Sequence, residues 1–337
     1  MIVYLICYAA SWIFARFGLY YLSGAALFLA AGYLYVYDYR RSGNLIHLRG
    51  LFSCFWVGGQ GAACLKLSKL QTDWALQTWI CFFLALVGFW ITFEVLDRLM
   101  GGNERFTMNR YRQRSTVRPL FFCIVGLTVI SAAAFVTEAA VLGFIPVLVR
   151  GVPHAYSAFH MTGLHYVTVS CVLIPAMTVL YFEQGGSRSG RKNGLIVLCT
   201  LVSIAIPILC VSRFQLVFAV ILAVFTFCAS QKNVSPWLFV AAVVALIPCY
   251  VLLTVARSHD VTYLNGIFEM KNSRMPIFVS QPYIYIANNY ENFDCLVKAL
   301  PAHTWGIRML FPVWALTGLK FLYPYLVSFP IYVDKTE

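Results

Sequence analysis

The sequence predicts an all-α fold, a polytopic helical integral membrane protein. Three observations carry this expectation. Apolar residues make up 61% of the 337 and charged residues only 11%. The mean hydropathy of +0.75 lies far above the range of soluble domains. The apolar residues also run in continuous stretches, where a membrane β-barrel would alternate over about ten residues.

The stretches fall at 2–15, 17–37, 51–65, 74–95, 119–138, 163–182, 194–211, 214–230 and 236–255. They predict about nine spans in a bundle over 1–255. Residues 256–308 read as a large outward loop, rich in Tyr, Ile and Phe. The C-terminal portion, 309–337, holds an apolar stretch at 309–329 with Pro312, Lys320 and Pro324, either a tenth span or an interfacial segment. One arginine stands out between two of the spans. A single helix over 194–230 would measure about 55 Å against a hydrocarbon core of about 30 Å, so the chain must turn back near Ser212 and Arg213. That turn holds a guanidinium at a membrane surface, where it suits an anionic headgroup.

Charge sets the orientation. The loops after the second, fourth, sixth and eighth segments hold thirteen basic residues, from Arg40, Arg41 and Arg49 through Arg98 and Arg118 to Arg188, Arg191, Lys192 and Lys232. The alternate connections up to residue 255 hold five: Arg16, Lys66, Lys69, Arg150 and Arg213. By the excess of Lys and Arg in cytoplasmic loops, the first set and the N-terminus are cytoplasmic. Arg213, the 139–162 connection and 256–308 then face outward. The net charge of +12 is accounted for by these short loops and does not call for nucleic acid.

Several chemistries find no support in the residues. The eleven cysteines form no CxxC and fall mostly in apolar segments, as small core residues. Residues 185–192 approach a phosphate-binding loop, but Arg191 and Lys192 stand where Lys and Ser or Thr are required. His154, His160 and His165 lack the i,i+4 spacing that pairs two imidazoles on a helix, so no metal site is expected. No nucleophile motif and no internal repeat stand out.

What remains is a set of outward-facing candidates. Arg257 follows the ninth segment on the same side as Arg213, and Arg150 lies in the other outward loop. Two or three arginines at one membrane face can neutralise a pyrophosphate without a metal, because each forms bidentate bonds to phosphate and stays charged. His259 and Asp260 follow Arg257 directly, and Glu138 sits at the outer end of the fifth segment. Any of the three is a candidate base for a hydroxyl proton. Tyr283, Tyr285, Tyr290, Phe293 and Trp305 offer faces on which sugar rings stack.

Three places resemble a known family. Residues 64–79 (Cys-Leu-Lys-Leu-Ser-Lys-Leu-Gln-Thr-Asp-Trp-Ala-Leu-Gln-Thr-Trp) look like an outer turn between early spans. Residues 210–220 (Cys-Val-Ser-Arg-Phe-Gln-Leu-Val-Phe-Ala-Val) look like a Ser-Arg turn. Residues 283–306 run from a Tyr-rich stretch to a Phe-Asp pair at Phe293 and Asp294, and then to Gly306. With the order of segments, these resemble bacterial oligosaccharide repeat-unit polymerases, the Wzy-type O-antigen and capsule polymerases. The likeness covers most of the chain. It stops early at Lys335-Thr336-Glu337, where family members continue into further spans, so the resemblance implies a C-terminally shortened member.

The resemblance implies a location in the bacterial cytoplasmic (inner) membrane and a polyprenyl pyrophosphate-linked oligosaccharide as substrate. Membrane lipid, a chain-length regulator and a flippase are the implied partners. It implies no cofactor and no metal. Arg213, Arg257, Arg150 and Arg274 would hold the pyrophosphate leaving group, and Tyr283, Tyr290 and Asp294 would contact substrate. Asp260, His259 or Glu138 would deprotonate the acceptor hydroxyl. The rival expectations are an O-antigen ligase with the same arginines, a transporter or flippase of lipid-linked sugars, and a structural scaffold.

Overall fold

In a computed structural model, the chain is described at residues 1–99, 117–149, 158–230, 265–300 and 306–324, and at isolated positions between 234 and 248. Among these residues every named element is helical, and β-structure is limited to one isolated bridge between Ser68 and Met270. The helices are α1 (Ile2–Arg16), α2 (Tyr20–Ser42), α3 (Leu48–Cys64), α4 (Leu76–Leu99) and α5 (Val117–Leu142). They continue with α6 (Leu164–Glu183), α7 (Gly190–Leu209), α8 (Arg213–Ser230) and α9 (Ile277–Ala299). The short α10 (Phe311–Leu316) and α11 (Leu319–Leu322) follow.

Five described helices, α4 to α8, are long and apolar enough to cross a membrane. Their outward surfaces agree: Leu84, Ile91, Val129, Val136 and Leu201 are all more than half exposed. Apolar side chains in such numbers are stable only against lipid or a partner. Of the other expected spans, α1 is a shorter apolar helix of 15 residues and α3 has 17. Most of 236–255 lies outside the described residues.

Local chemistry sets the helix ends. Gly43 takes the left-handed conformation and its N–H closes on the Tyr39 carbonyl at 2.7 Å, ending α2. Asn44 then accepts from the Ile46 N–H, and His47 caps α3 through the Gly50 N–H. In α6, Pro175 has no N–H to give the preceding turn, and residues 170–173 tighten into a 3₁₀ turn there.

Two buried clusters organise the bundle. Tyr4, Leu27, Leu34, Val57, Trp79, Leu86 and Ile284 form the core of α1–α4 with α9. Ile124, Phe135, Phe159, Ile174, Tyr181 and Ile196 form the core of α5–α7, which α8 joins through Ala219. The alternation of helices creates two ends. The end of α3, the start of α4, the end of α5, the start of α6 and the α7–α8 turn share one, called here the Arg213 face. Arg41, Arg49, Glu94 and Arg98 share the other, the Arg49 face.

The tightest helix packing is α2 on α3. A Cβ placed on Gly24 would lie 2.8 Å from the Gly61 carbonyl oxygen, and one on Gly61 would lie 3.2 Å from that of Gly24. The two backbones touch, as in small-residue helix pairs in membranes. Gly24→Ala is expected to destabilise the protein by about 1–3 kcal/mol, because backbone has to move. Gly32→Ala meets nothing within 4 Å and should leave the melt unchanged or raise it. Thermal unfolding of both variants in detergent checks the contrast, and equal melting temperatures would contradict the close approach.

Candidate functional site

The Arg213 face is assembled around α9. Part of the region expected as an outward loop is this 23-residue helix, laid across the ends of α3 and α4. It begins after Pro276 and carries the polar residues that gather the neighbouring connection.

Glu291 of α9 is 2% exposed. Its Oε1 accepts from Lys66 Nζ at 2.5 Å and from Trp74 Nε1 at 2.9 Å, and its Oε2 accepts from the Thr72 N–H at 3.1 Å. Gln71 Nε2 reaches Oε1 at 3.4 Å. Lys66 also donates to the Thr72 carbonyl and stands 4.7 Å from the centre of the Trp74 ring. One turn on, Asp294 Oδ1 accepts from the Ala75 N–H at 2.9 Å and the Thr78 hydroxyl at 2.6 Å, while Oδ2 pairs with Lys298 at 2.6 Å. Tyr283 donates to Gln71 Oε1 at 2.5 Å and accepts from the Leu67 N–H at 2.8 Å. Tyr290 donates to the Trp56 carbonyl at 3.0 Å.

Residues 67–71 are also tied to 265–271. The Lys69 N–H donates to the Glu269 carbonyl and the Lys271 N–H to the Leu67 carbonyl, each at 2.9 Å. Ser68 Oγ donates to the Phe268 carbonyl at 2.7 Å. Both carboxylates are thus held by donors and act as anchors. Burial pushes the phenol of Tyr283 well above its usual range and that of Tyr290 up to about 12. Both are neutral hydroxyls at neutral pH, suited to hydrogen bonding and not to proton abstraction.

The second group surrounds Arg213, the first residue of α8 and only 8% exposed. The turn before it is a Schellman motif: the Ser212 N–H bonds the Pro207 carbonyl at 2.9 Å and the Val211 N–H that of Ile208 at 3.0 Å. Val211 occupies the left-handed position, at φ 53°, where glycine is usual. It is held there by burial among Leu216, Val147 and Ile204. The turn directs Arg213 across to α9, where its Nη1 donates to Gln281 Oε1.

The third group surrounds Glu138, fully buried near the end of α5. Its carboxylate accepts from the Thr168 hydroxyl at 2.7 Å and the Met161 N–H at 3.2 Å, and meets His165 Nδ1 at 3.2 Å. The His165 side chain is 19% exposed. Its ring lies 5.0 Å from that of His160, in an edge contact. A carboxylate on Nδ1 fixes the ring and favours the tautomer whose Nε2 accepts a proton. Cys210, three residues before Arg213, lies within electrostatic range of Glu138, which places the group at the same face.

Of the sequence candidates, Glu138, Arg213, Tyr283, Tyr290 and Asp294 thus lie at the Arg213 face. Arg274 stands exposed before α9, its N–H on Asn272 Oδ1 at 3.0 Å. Arg150, Arg257, His259 and Asp260 lie outside the described residues. Sequence reasoning did not single out Lys66, Glu291, Gln281 or the pairing of His165 with Glu138. Lys66 and Glu291 are 225 positions apart, and no local pattern joins them. Among the described residues, no group of three or more His, Cys, Asp or Glu is arranged to hold a metal ion.

No family model, no curated protein and no solved structure matches the chain.

Lys66→Met leaves Glu291 buried without its cation and is expected to cost about 3–5 kcal/mol. The double variant Lys66→Met/Glu291→Leu should recover most of that, since it removes the buried charge as well. A double-mutant cycle on thermal unfolding in detergent measures the coupling. Additive effects would show that the pair is not a structural unit.

Proposed function

We propose that the protein is a glycosyltransferase that polymerises polyprenyl pyrophosphate-linked oligosaccharide repeat units, as in O-antigen or capsule synthesis. It works at the outer face of the bacterial cytoplasmic membrane, with its N-terminus in the cytoplasm. One observation supports this reading above the others. The three segments that carry the family resemblance come to one face, two of them through α9. Residues 64–79 meet α9 at Glu291 and Asp294, and the Ser-Arg turn of 210–220 meets it at Gln281.

In this reading Arg213 binds the pyrophosphate of the donor, and Arg257, Arg150 and Arg274 are further candidates. The bond between the donor's anomeric carbon and the pyrophosphate oxygen breaks, and a bond from that carbon to the acceptor hydroxyl oxygen forms. Polyprenyl pyrophosphate leaves, and the arginines stabilise its charge as it develops. The hydroxyl proton passes to a base, either Asp260, His259 or the Glu138 group. In the last case His165 Nε2 takes the proton and Glu138 stabilises the imidazolium. Tyr285, 63% exposed on α9, offers an aromatic face for a sugar ring, whereas Tyr283 and Tyr290 are packed inside. A chain-length regulator and a flippase are the expected partners.

The test is complementation of a polymerase-deleted host, with surface polysaccharide read as a ladder on a gel. The intact chain should restore the ladder, and Arg213→Ala at matched membrane levels should reduce it to a single repeat unit. Arg213→Lys should retain part of the ladder, since charge remains but bidentate bonding is lost. No ladder from the intact chain in this host, together with restored transfer of repeat units to the core in a ligase-deleted host, would point to a ligase instead.

Glu138→Gln keeps the shape of the group but removes the charge that supports imidazolium. If this group is the base, the rate should fall by about 10²-fold or more in a membrane assay with lipid-linked repeat units. A near-parental rate would move the base to His259 or Asp260.

A further inference from the structure

One helix at the Arg213 face has its polarity inside out. Of the eight buried residues of α9, four are polar or charged: Ser280, Gln281, Glu291 and Asp294. Its outer side carries Val279, Pro282 and Ile286, all exposed, and then Phe293 and Val297, partly buried. These five recur at intervals of three, four and seven, which at about 100° per residue keeps them on one stripe. A surface helix in water shows the reverse pattern, polar outside and apolar inside. We propose that α9 is an interfacial helix whose apolar stripe lies in the acyl-chain boundary of the leaflet at the Arg213 face. The proposal rests on the membrane-embedded fold and not on the polymerase reading.

Depth decides between lipid and water. α4 has 24 residues and a length of about 36 Å, which exceeds a hydrocarbon core of about 30 Å by only about 6 Å. Phe82 stands six residues after Leu76, about 9 Å into that helix, and so within the hydrocarbon when α4 spans the bilayer. Two rings of α9 reach it, Phe293 at 5.0 Å and Tyr290 at 5.2 Å between ring centres. Tyr290 also donates to the carbonyl of Trp56, eight residues before the end of α3. Asp294 meets the Ala75 N–H and the Thr78 hydroxyl at the start of α4. The backbone of α9 is therefore level with the ends of the spans, and Tyr290 and Phe293 point down between them. Phe293 belongs to the stripe, so Val279, Pro282 and Ile286 point the same way. They stay exposed, Val279 at 42% and Ile286 at 43%, and what they meet at that depth is lipid.

The rest of the outer surface suits the aqueous side. Tyr285, Asn288 and Asn292 lie off the stripe by about a quarter-turn or more, which leaves the phenol and the amides to water. Asn289, nearer the stripe, turns its amide back onto the Tyr285 carbonyl.

The experiment places p-benzoylphenylalanine at Ile286 in the full chain, reconstituted in phosphatidylcholine nanodiscs, and reads phospholipid adducts by mass spectrometry after irradiation. Ile286 is exposed, so the probe is compatible with folding. The same probe at Leu84, 58% exposed within α4, marks the yield in lipid. At Arg188, exposed on the α6–α7 connection, it marks the yield in water. Ile286 should give adducts within about threefold of Leu84 and about tenfold or more above Arg188. A yield no higher than at Arg188 would put the stripe in water and overturn the proposal. A cross-link from Ile286 to another part of the chain or to a second copy, in place of lipid, would overturn it too. Val279, seven residues earlier on the stripe, takes the probe should the Ile286 variant not fold.

Discussion

The Arg213 face depends on a buried carboxylate finding its donors. Glu291 sits on α9 at 2% exposure, where an unpaired charge would be strongly destabilising. Lys66, Trp74 and the Thr72 amide all come from the one connection between α3 and α4, so satisfying Glu291 fixes that connection and the helix together. The consequence extends along α9. Gln281 lies ten residues earlier on the same helix, roughly 15 Å away at 1.5 Å per residue, and it is the residue that Arg213 reaches. One buried anion thereby orients the helix that connects the α1–α4 core to the start of α8.

The long apolar helices were the legible part of the fold. For α4 to α8, continuous apolar runs define length and place without help from tertiary context. α9 was legible only as an aromatic stretch, because Asn288, Asn289, Glu291, Asp294 and Lys298 break the apolar pattern. Two of them, Glu291 and Asp294, are what bury it. Each carboxylate finds donors in 66–78, so a helix that reads as polar packs as core. Arg213 could be read from the sequence because bilayer thickness forces a turn beside it. The bond to Gln281 could not, since 68 residues separate the pair and no local pattern joins them. Glu138 was legible as an ionisable group at a span end. Its partner His165 stood in a histidine trio whose spacing argued only against metal, and only the packing of α5 against α6 shows the pairing.

The two ends of the bundle use arginine in different ways. At the Arg49 face the guanidinium of Arg49 is neutralised by Asp38 and Glu94, and rings of Trp90 and Phe93 cover it. At the Arg213 face the contact from α8 to α9 is a neutral amide, so the cation is oriented without a carboxylate at that bond. At that bond an amide orients the guanidinium without neutralising it, whereas a carboxylate in the same place would form an ion pair.

The backbone at the Arg213 face carries a related signature. Lys66 and Val211 both take left-handed conformations, at φ 49° and 53°, immediately after helices α3 and α7. Each costs roughly 1–2 kcal/mol relative to glycine in the same place. Each is held by something the glycine would lack: the ion pair to Glu291 for Lys66, and burial at 2% exposure for Val211. Strain of this kind persists only where surrounding contacts over-determine the conformation, and it gathers at functional sites. Here it does two specific things. It turns the chain sharply past each helix end, and it sets Lys66 and Arg213 as the first cations after those ends, one bonded to Glu291 and the other to Gln281 of α9. The two cations differ in the partner that α9 presents to each, a carboxylate to Lys66 and an amide to Arg213.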